Sequence, residues 1–317
     1  MAAVELEGLT KAFGSFVAVD DVSLSIAEGE IFGFLGANGA GKSTTIRMLC
    51  GLLKPSSGTG RVLGIDVGAD PEGVKRSIGY MSQRFSLYDD LTVAQNLRFF
   101  GGVYGLRGAQ MAQREAWALS MADLEGRAHC RTRDLPGGWK QRLALACAVL
   151  HEPRVVFLDE PTSGVDPISR RRFWRLIDDM AEAGVTVFVT THYLDEAEHC
   201  HRLALLDGGR LVALGTVMQL KQVFRGLAVL EVSGVDVAIA LDQLASQTWV
   251  RETSVFGTRV HIVVEDAERD RERALELLMR QPGAGAGQTP RIAPVVPSLE
   301  DVFIHHVSEA SVVGESN

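Results

Sequence analysis

Apolar and polar positions alternate over short stretches at the start of the chain. This period of two predicts strands joined by turns at 4–9, 16–19 and 22–26. Continuous apolar runs follow at 31–35 and, much later, at 155–158. Such runs are typical of strands that a parallel sheet buries on both faces. The pattern therefore predicts a buried parallel sheet preceded by shorter strands.

From residue 91 the spacing of apolar positions becomes helical and predicts amphipathic helices at 92–104 and 109–124. Thr92 fits the N-cap of the first helix, and Gln95 lies where it would complete a capping box. We therefore expect residues 85–150 to form a mostly helical insertion.

The pattern of predicted secondary structure changes near residue 225. Strands are predicted at 227–232, 254–264 and 295–296. A charged amphipathic helix is predicted at 267–280, and a linker rich in Gly and Pro follows at 281–290. This region offers no catalytic constellation. We therefore expect two domains, 1–224 and 225–317, the second a small α+β appendage used for contact or regulation.

Composition narrows the class of protein. The chain has 317 residues, 46% of them hydrophobic and 23% charged, which is ordinary for globular domains. A net charge of −8 argues against a nucleic-acid binder held by a basic surface. The four cysteines share no disulfide or zinc spacing, which indicates reduced thiols in the cytosol. The first residues do not resemble a signal peptide and no apolar run reaches the ~20 residues of a membrane span, so any membrane role is expected to need a partner.

A glycine-rich loop at 36–44, with the sequence GANGAGKST, follows the apolar run at 31–35. This phosphate loop matches the pattern G-x-x-x-x-G-K-[ST] in its required context of strand, loop and helix. The glycines let backbone N–H groups surround phosphate oxygens, and the helix N-terminus adds positive charge. Lys42 would reach the β- and γ-phosphates, and the Ser43 hydroxyl would bind Mg²⁺. The loop therefore predicts a nucleotide site.

Two acids and a histidine follow buried runs further along the chain. Asp159 and Glu160 end the run at 155–158, at the strand end where α/β sheets place their chemistry. As structure alone, two adjacent charges would be costly, so a functional role is favoured. His192 follows the run at 185–190, and taken alone it fits a structural role better than a catalytic one.

Three further positions carry local signals. Phe13 stands in an otherwise polar loop, where it would either stack on a nucleobase or plug a core. Gly137 and Gly138 open a helix, which makes either an anion site or a simple turn. Asp166 and Pro167 suit the N-cap and first turn of the next helix.

The order and spacing of these motifs resemble the ATP-binding subunits of ABC transporters over residues 4–224. The motifs that carry the resemblance are the phosphate loop, Gln83, Gly137-Gly138, Asp159-Glu160, the segment 163–166 and His192. The resemblance implies an α/β fold of the P-loop NTPase type, with a RecA-like core, an antiparallel β subdomain and a helical insertion. It also implies ATP and Mg²⁺ as ligands and hydrolysis of ATP as the reaction.

The resemblance further implies a role for each matching position. Glu160 is similar to the general base for the hydrolytic water, and Lys42, Gln83 and His192 are similar to its catalytic neighbours. Mg²⁺ would be bound by Ser43, Gln83 and Asp159. The nucleotide would be held by Phe13, Gly36, Asn38, Gly39, Ala40, Gly41, Lys42, Ser43, Thr44, Gly137, Gly138 and Asp166. In the family, the two glycines serve the ATP of an opposite subunit, which implies a head-to-tail dimer with an identical or a related chain.

The signature around those glycines departs from the usual form, because Pro136 replaces a serine and Trp139 replaces a glutamine. This Pro-Gly-Gly-Trp form and the segment 297–303 resemble ATPases that pair with ABC-2-type export permeases, often of drugs. The resemblance therefore implies export through a separate permease, from a peripheral position at the cytoplasmic face of the inner membrane. The aromatic-rich segment from Gln83 to about Gly108, which includes Tyr88, is expected either to dock that permease or simply to pack the helical insertion.

Two other classes of protein are weighed against this one. A soluble ABC ATPase acting on a ribosome or nucleic-acid complex shares the same motifs, but such proteins usually carry a second cassette or a long coiled coil. A P-loop kinase or GTPase would share the phosphate loop, yet it would have no use for the Gly-Gly signature or for His192.

Overall fold

The computed structural model describes residues 1–279 and 289–314. They divide into two units, Met1–Leu214 and Gly215–Asn317. The sequence predicts a boundary between 224 and 225, whereas the structure divides earlier, because the helical turns Val217–Leu220 and Lys221–Phe224 pack against the last helix of the second unit. Among the described residues, no helix combines the length and the hydrophobicity needed to cross a bilayer.

An antiparallel sheet opens the first unit. Its strands are β1 (Ala2–Phe13), β2 (Phe16–Ala27), β4 (Ser57–Val62) and β5 (Ile65–Asp66), in the order β2-β1-β4-β5. The three short strands expected from the sequence are parts of the long β1–β2 hairpin. Its pairing shifts register between Leu6 and Leu9, and Asp21 has a φ of 52°, so these irregularities interrupt the alternation. Phe13 therefore ends a strand and does not lie in the polar loop that the sequence predicts.

The central sheet of the first unit carries the predicted buried runs. Its strands are β3 (Ile31–Gly36), β6 (Ile78–Met81), β7 (Val155–Asp159), β8 (Thr186–Thr191), β9 (Arg202–Asp207) and β10 (Arg210–Gly215), in the order β10-β9-β3-β8-β7-β6. The pairs from β6 through β7, β8 and β3 to β9 are parallel, so their carboxyl ends share one edge. Every residue of β3, β7 and β8 is buried, which confirms the prediction.

Aromatic packing holds the three middle strands together. The Phe188 ring lies 5.2 Å from that of Phe34, 5.5 Å from Phe157 and 5.7 Å from Phe32, measured between centroids. All four rings are fully buried. Because each buried phenyl group contributes roughly 1.5–3 kcal/mol, this cluster fixes the strands whose ends carry the acids.

Helices cover the central sheet. They are α1 (Lys42–Leu49), α2 (Pro71–Ser77), α6 (Pro167–Glu182) and α7 (Leu194–Ala197). As predicted, Asp166 caps α6, accepting from the N–H groups of Ile168 and Ser169 at 3.0 Å. The helix ends before Gly184, whose φ of 90° suits glycine. Helix α2 was not predicted from the sequence.

The predicted helical insertion is confirmed. It contains α3 (Val93–Val103), α4 (Gly108–Met121) and α5 (Gly137–Val149), with 3₁₀ turns at Glu125–Arg127 and Thr132–Asp134. The Thr92 side chain accepts from the N–H of Gln95, whose side chain accepts in return from the N–H of Thr92. A separate apolar cluster that includes Leu97, Leu124 and Leu143 fills the space between these helices.

The second unit is a small α+β fold. Its elements are α8 (Val217–Leu220), β11 (Ala228–Ser233), α9 (Val237–Ala245), β12 (Val250–Phe256), β13 (Arg259–Val264), α10 (Ala267–Met279), β14 (Arg291–Val295) and α11 (Leu299–Gly314). The order β12-β13-β11-β14, with antiparallel neighbours, is that of a ferredoxin-like β-α-β-β-α-β sheet. The sequence does not predict α9, and it predicts one strand at 254–264 where the structure has the β12–β13 hairpin, which turns at Gly257. Most of the linker predicted at 281–290 lies outside the described residues.

Candidate active site

The phosphate loop joins the carboxyl end of β3 to the start of α1, as the sequence predicts. Gly39 and Gly41 have φ values of 87° and 97°, a region that favours glycine. A Cβ atom on Gly41 would also lie 2.4 Å from the carbonyl oxygen of Ala18, and one on Gly36 would lie 2.4 Å from that of Leu206. Gly41 is therefore required both by backbone conformation and by space, Gly39 by conformation and Gly36 by space.

Lys42 is the buried cation of the loop. Its Nζ donates to the carbonyl oxygens of Gly36 at 2.8 Å and Ala37 at 3.0 Å. It also lies 3.5 Å from Glu160 Oε1. Burial lowers the pKa of the Lys42 ammonium, although Glu160 works in the opposite direction. The ammonium is thus held by neutral oxygens that a phosphate could replace.

Ser43 and Asp159 meet below the cleft. The Ser43 hydroxyl donates to Asp159 Oδ1 at 2.8 Å, and the Thr190 hydroxyl donates to the same oxygen at 2.9 Å. The other carboxylate oxygen, Oδ2, is buried and has no hydrogen-bond partner. A hydroxyl and a carboxylate are oxygen ligands of the kind that Mg²⁺ prefers, so these residues fit the ion.

Thr190 was not predicted as part of the site. It supports Asp159 and also accepts from the backbone N–H of Glu160 at 2.9 Å. The signal available in the sequence was a hydroxyl residue at the end of the apolar run 185–190, which a purely structural strand would not need.

Glu160 is the point where the predicted catalytic residues converge. Its Oε2 accepts from Gln83 Nε2 at 2.9 Å and lies 3.4 Å from His192 Nδ1. Its backbone is left-handed, with a φ of 47°, which is uncommon for a residue that has a Cβ atom. A carboxylate bordered by an amide, an imidazole and the Lys42 ammonium can orient a water molecule and accept its proton.

These groups line an open cleft of about 590 Å³. The lining residues are Phe16, Ala18, Asn38, Gly39, Gly41, Lys42, Ser43, Thr44, Gln83, Glu160, Ser163 and His192. Ala40 is buried in the loop beneath. Phe16, which was not predicted as part of the site, lines the cleft. Its hairpin partner Phe13, which was predicted, does not line the cleft. The Lys11 ammonium lies 5.1 Å from the centroid of the Phe13 ring.

The remaining predicted residues lie outside this cleft. Gly137 and Gly138 begin α5, with Pro136 in the N-cap position and no side-chain cap. A Cβ atom on Gly138 would lie 2.4 Å from Ser169 Oγ, so no larger residue fits there without rearrangement. Hydrogen bonds from Ser169 hold the pKa of the Asp166 carboxyl below its usual value. In this chain, Asp166 serves as a helix cap.

The indole of Trp139 is enclosed by two cations at the start of α5. The guanidinium of Arg142 lies 4.1 Å from the ring centroid and that of Arg127 lies 4.3 Å away. Arg142 also forms an ion pair with Asp123 at 3.1 Å. Trp139, which departs from the usual signature, is therefore packed by residues of the helical insertion itself.

The loop, the Ser43–Asp159 pair and Glu160 together are the elements of a P-loop NTPase. Comparison with known proteins agrees with this class. The family model described as "ABC transporter" matches residues 19–163. A second model, described as an AAA domain of a putative AbiEii toxin, matches the shorter stretch 138–194.

Two relatives and one solved structure are particularly informative. A probable multidrug ABC transporter ATP-binding protein of Escherichia coli strain K12 is 54% identical over 218 residues, 69% of this chain and 38% of the relative. The Nod factor export ATP-binding protein I of Paraburkholderia xenovorans strain LB400 is 36% identical over 308 residues, 96% of each chain. A dimeric ATP-binding cassette in a post-hydrolysis state with ADP and Pi has a TM-score of 0.62 and 29% identity, covering 67% of this chain and 98% of that one.

The chain belongs to the family of ATP-binding subunits of ABC transporters. The family that the sequence predicts is thereby confirmed. Its match spans well under half the length of the Escherichia coli relative, yet almost all of the Paraburkholderia one. The relatives do not favour the alternative of an ATPase that acts on ribosomes or nucleic acid.

Proposed function

We propose that this protein hydrolyses ATP with Mg²⁺ to drive export of a substrate through a separate ABC-2-type permease, at the cytoplasmic face of the inner membrane. The arrangement around Glu160 carries the proposal, because a carboxylate beside Gln83, His192 and Lys42 is suited to hydrolysis and not only to nucleotide binding. The names of the relatives, a multidrug transporter subunit and a Nod factor export subunit, support export as the process.

Each residue has a distinct task in this mechanism. Ser43, Asp159 and Gln83 would hold Mg²⁺, which neutralises the phosphate charge when it is bound. The free Oδ2 of Asp159 supports this assignment. Lys42 would exchange its two backbone carbonyls for the β- and γ-phosphates.

The hydrolytic step itself falls to Glu160. Its carboxylate would orient the attacking water and accept the proton that the water loses, while Gln83 holds the carboxylate in place. His192, 3.4 Å from the same carboxylate, would face the γ-phosphate. The adenine would stack on the exposed ring of Phe13, whose hairpin partner Phe16 lines the cleft.

A second ATP-binding subunit would complete the site. Gly137 and Gly138 do not line the cleft of their own chain, and the first N–H groups of α5 lack a side-chain cap. Such a helix start can bind a phosphate. We infer that these N–H groups cap the γ-phosphate of ATP on the opposite chain, near Asp166. The dimeric relative bound to ADP and Pi supports this arrangement. The second chain would be an identical copy or a related ATPase.

The permease would dock on the segment from Gln83 to Gly108. Tyr88 and Phe99 are 48% and 43% exposed, and their ring centroids are 4.6 Å apart. Beside them lies a small cavity of about 50 Å³, lined by Phe85, Leu87, Phe100 and neighbouring residues. A pair of exposed aromatic rings offers apolar surface that a partner can bury. Replacing Tyr88 by Ala should reduce transport while leaving ATP binding intact, and unchanged transport would contradict docking there.

The Glu160→Gln variant tests the proposed reaction. It keeps the hydrogen bond to Gln83 but cannot accept a proton, so the variant should bind Mg²⁺-ATP, lose at least about 100-fold in turnover and accumulate as a dimer. Phosphate release and size-exclusion chromatography with ATP would measure both effects. Undiminished hydrolysis would refute Glu160 as the base.

Copurification tests the proposed partner. The tagged chain, isolated from its own cells in mild detergent, should retain a multispanning membrane protein. Retention of ribosomal RNA in its place would overturn the export proposal while leaving the ATPase assignment intact.

A further inference from the structure

Glu196 is a carboxylate that is almost fully buried, at 1% exposure, in the short helix α7 that follows β8. Its Oε1 accepts from the hydroxyl of Thr162 and lies 3.2 Å from Arg170 Nε. Its Oε2 accepts from the hydroxyl of Thr191 at 2.8 Å. Burying a carboxylate lowers stability unless it is paired and hydrogen-bonded. A carboxylate at this position therefore indicates a functional role.

The partners of Glu196 are adjacent in sequence to the proposed catalytic residues. Thr162 comes two positions after Glu160, and Thr191 comes directly before His192. The Thr191 hydroxyl donates to Glu196 and also accepts from the backbone N–H of Tyr193 at 2.9 Å. The backbone on both sides of His192 is thereby fixed to the same carboxylate.

Arg170 closes the arrangement from α6. Its guanidinium pairs with Glu196 and lies 4.1 Å from the centroid of the Tyr193 ring. Asp195, at 3.5 Å, is the second acid beside it. Arg170 therefore holds Glu196 and the residue after His192 together.

We propose that Glu196 is a positioning residue for hydrolysis, which sets the distance between Glu160 and His192 by joining the segments that carry them. It touches neither substrate nor metal, and it acts through the hydroxyl groups of Thr162 and Thr191. This inference rests on the proposed roles of Glu160 and His192. Because a small misplacement of a catalytic group costs more in turnover than in binding, the effect falls on kcat and not on ATP affinity.

A glutamine at position 196 would not substitute for the carboxylate. Its single amide oxygen would have to accept from both Thr162 and Thr191, which donate to different carboxylate oxygens of Glu196. The neutral amide would also remove the charge that pairs with Arg170, and its N–H groups would face the guanidinium. Glu196→Gln should therefore lower kcat, but a buried change of this kind also endangers folding. Thr191 gives a cleaner test.

The test compares Thr191→Val with Thr191→Ser in the full chain. Valine keeps the shape and loses the hydroxyl, so kcat should fall about tenfold while the Kd for ATP changes less than twofold. Serine keeps the hydroxyl and should restore most of the turnover. Thr186→Val is the matched control, because Thr186 is equally buried at the other end of β8. In the described part of the chain, the one hydrogen bond of its hydroxyl is accepted from the N–H of Gly29. This control should lower the melting temperature without lowering kcat.

The outcomes separate the inference from the proposed function. Equal kcat for the Val and Ser variants, or a loss of ATP affinity that matches the loss of kcat, would overturn the positioning role. A kcat loss in Thr186→Val as large as that in Thr191→Val would do the same, because the effect would then be one of general stability. If Glu160→Gln still hydrolyses ATP, the proposed base is wrong whatever Thr191 shows.

Discussion

Replacing Trp139 by Gln, the residue more usual in the signature, should destabilise the first unit. The indole lies between the guanidinium groups of Arg127 and Arg142, 4.3 Å and 4.1 Å from its centroid. Each contact contributes about 0.5–1 kcal/mol at an exposed site and up to about 2 when desolvated. Arg142 is largely buried and Arg127 is exposed, so the sum is about 2–3 kcal/mol.

That sum is a large share of the roughly 5–15 kcal/mol by which a domain is stable. It corresponds to a decrease of about 5–10 °C in the melting temperature of a unit of this size. Urea denaturation followed by circular dichroism would measure the change. ATP affinity should be unaffected, because Trp139 does not line the cleft of its own chain.

Trp117 provides the matched comparison. It is 38% exposed and lies over one guanidinium, that of Arg114, at 3.9 Å. Trp117→Gln should therefore cost about half as much, roughly 1 kcal/mol. Equal losses in the two variants, or no loss in Trp139→Gln, would refute the reasoning that the two cations stabilise the signature helix.

Three further predictions concern the nucleotide and the second unit. Phe13→Ala should raise the Kd for ATP about tenfold and Phe13→Trp should restore it, since stacking on a base contributes about 1–3 kcal/mol. An unchanged Kd in calorimetry would refute stacking on Phe13. Removing Mg²⁺ with a chelator should abolish turnover, and Asp159→Ala should require more Mg²⁺ for half-maximal phosphate release, a shift whose absence would contradict the ion site. Burial opposes the charged form of His261, but hydrogen bonds to Asp301 and Glu231 outweigh it and raise the His261 pKa, while His261 and Ser298 lower the Asp301 pKa against the effect of burial. The charged His261 imidazolium thus stabilises the second unit at pH values below its usual pKa. This stabilisation is lost as the pH rises through the raised pKa, so the second unit should unfold at a lower urea concentration at pH 9 than at pH 6. A difference that persists in His261→Gln would show another origin.

Local patterns made the phosphate loop and the acids predictable. The loop depends on consecutive residues between a strand and a helix, and Asp159 and Glu160 simply end a buried run. The supporting residues were not predictable in this way. Thr190 and Glu196 act on partners about thirty residues earlier in the chain, Thr190 on Asp159 and Glu196 on Thr162, and only the parallel pairing of β7 with β8 brings them together.

The second unit shows a different limit. Its hydrophobic pattern is visible in the sequence, but that pattern predicts neither the turn at Gly257 nor α9. With one strand and one helix missing, the β-α-β-β-α-β order could not be derived. The α+β class was predicted from composition and pattern, whereas the ferredoxin-like topology required the structure.

The left-handed backbone of Glu160 has a consequence for laboratory evolution. Glycine adopts a φ of 47° without the cost of roughly 1–2 kcal/mol that a Cβ atom incurs there. A library selected only for heat resistance would therefore favour glycine at this position, and the survivors would bind nucleotide but turn it over poorly. A screen for a more thermostable variant should therefore select for growth that depends on ATP turnover. At position 160, thermal stability favours glycine, whereas turnover favours glutamate.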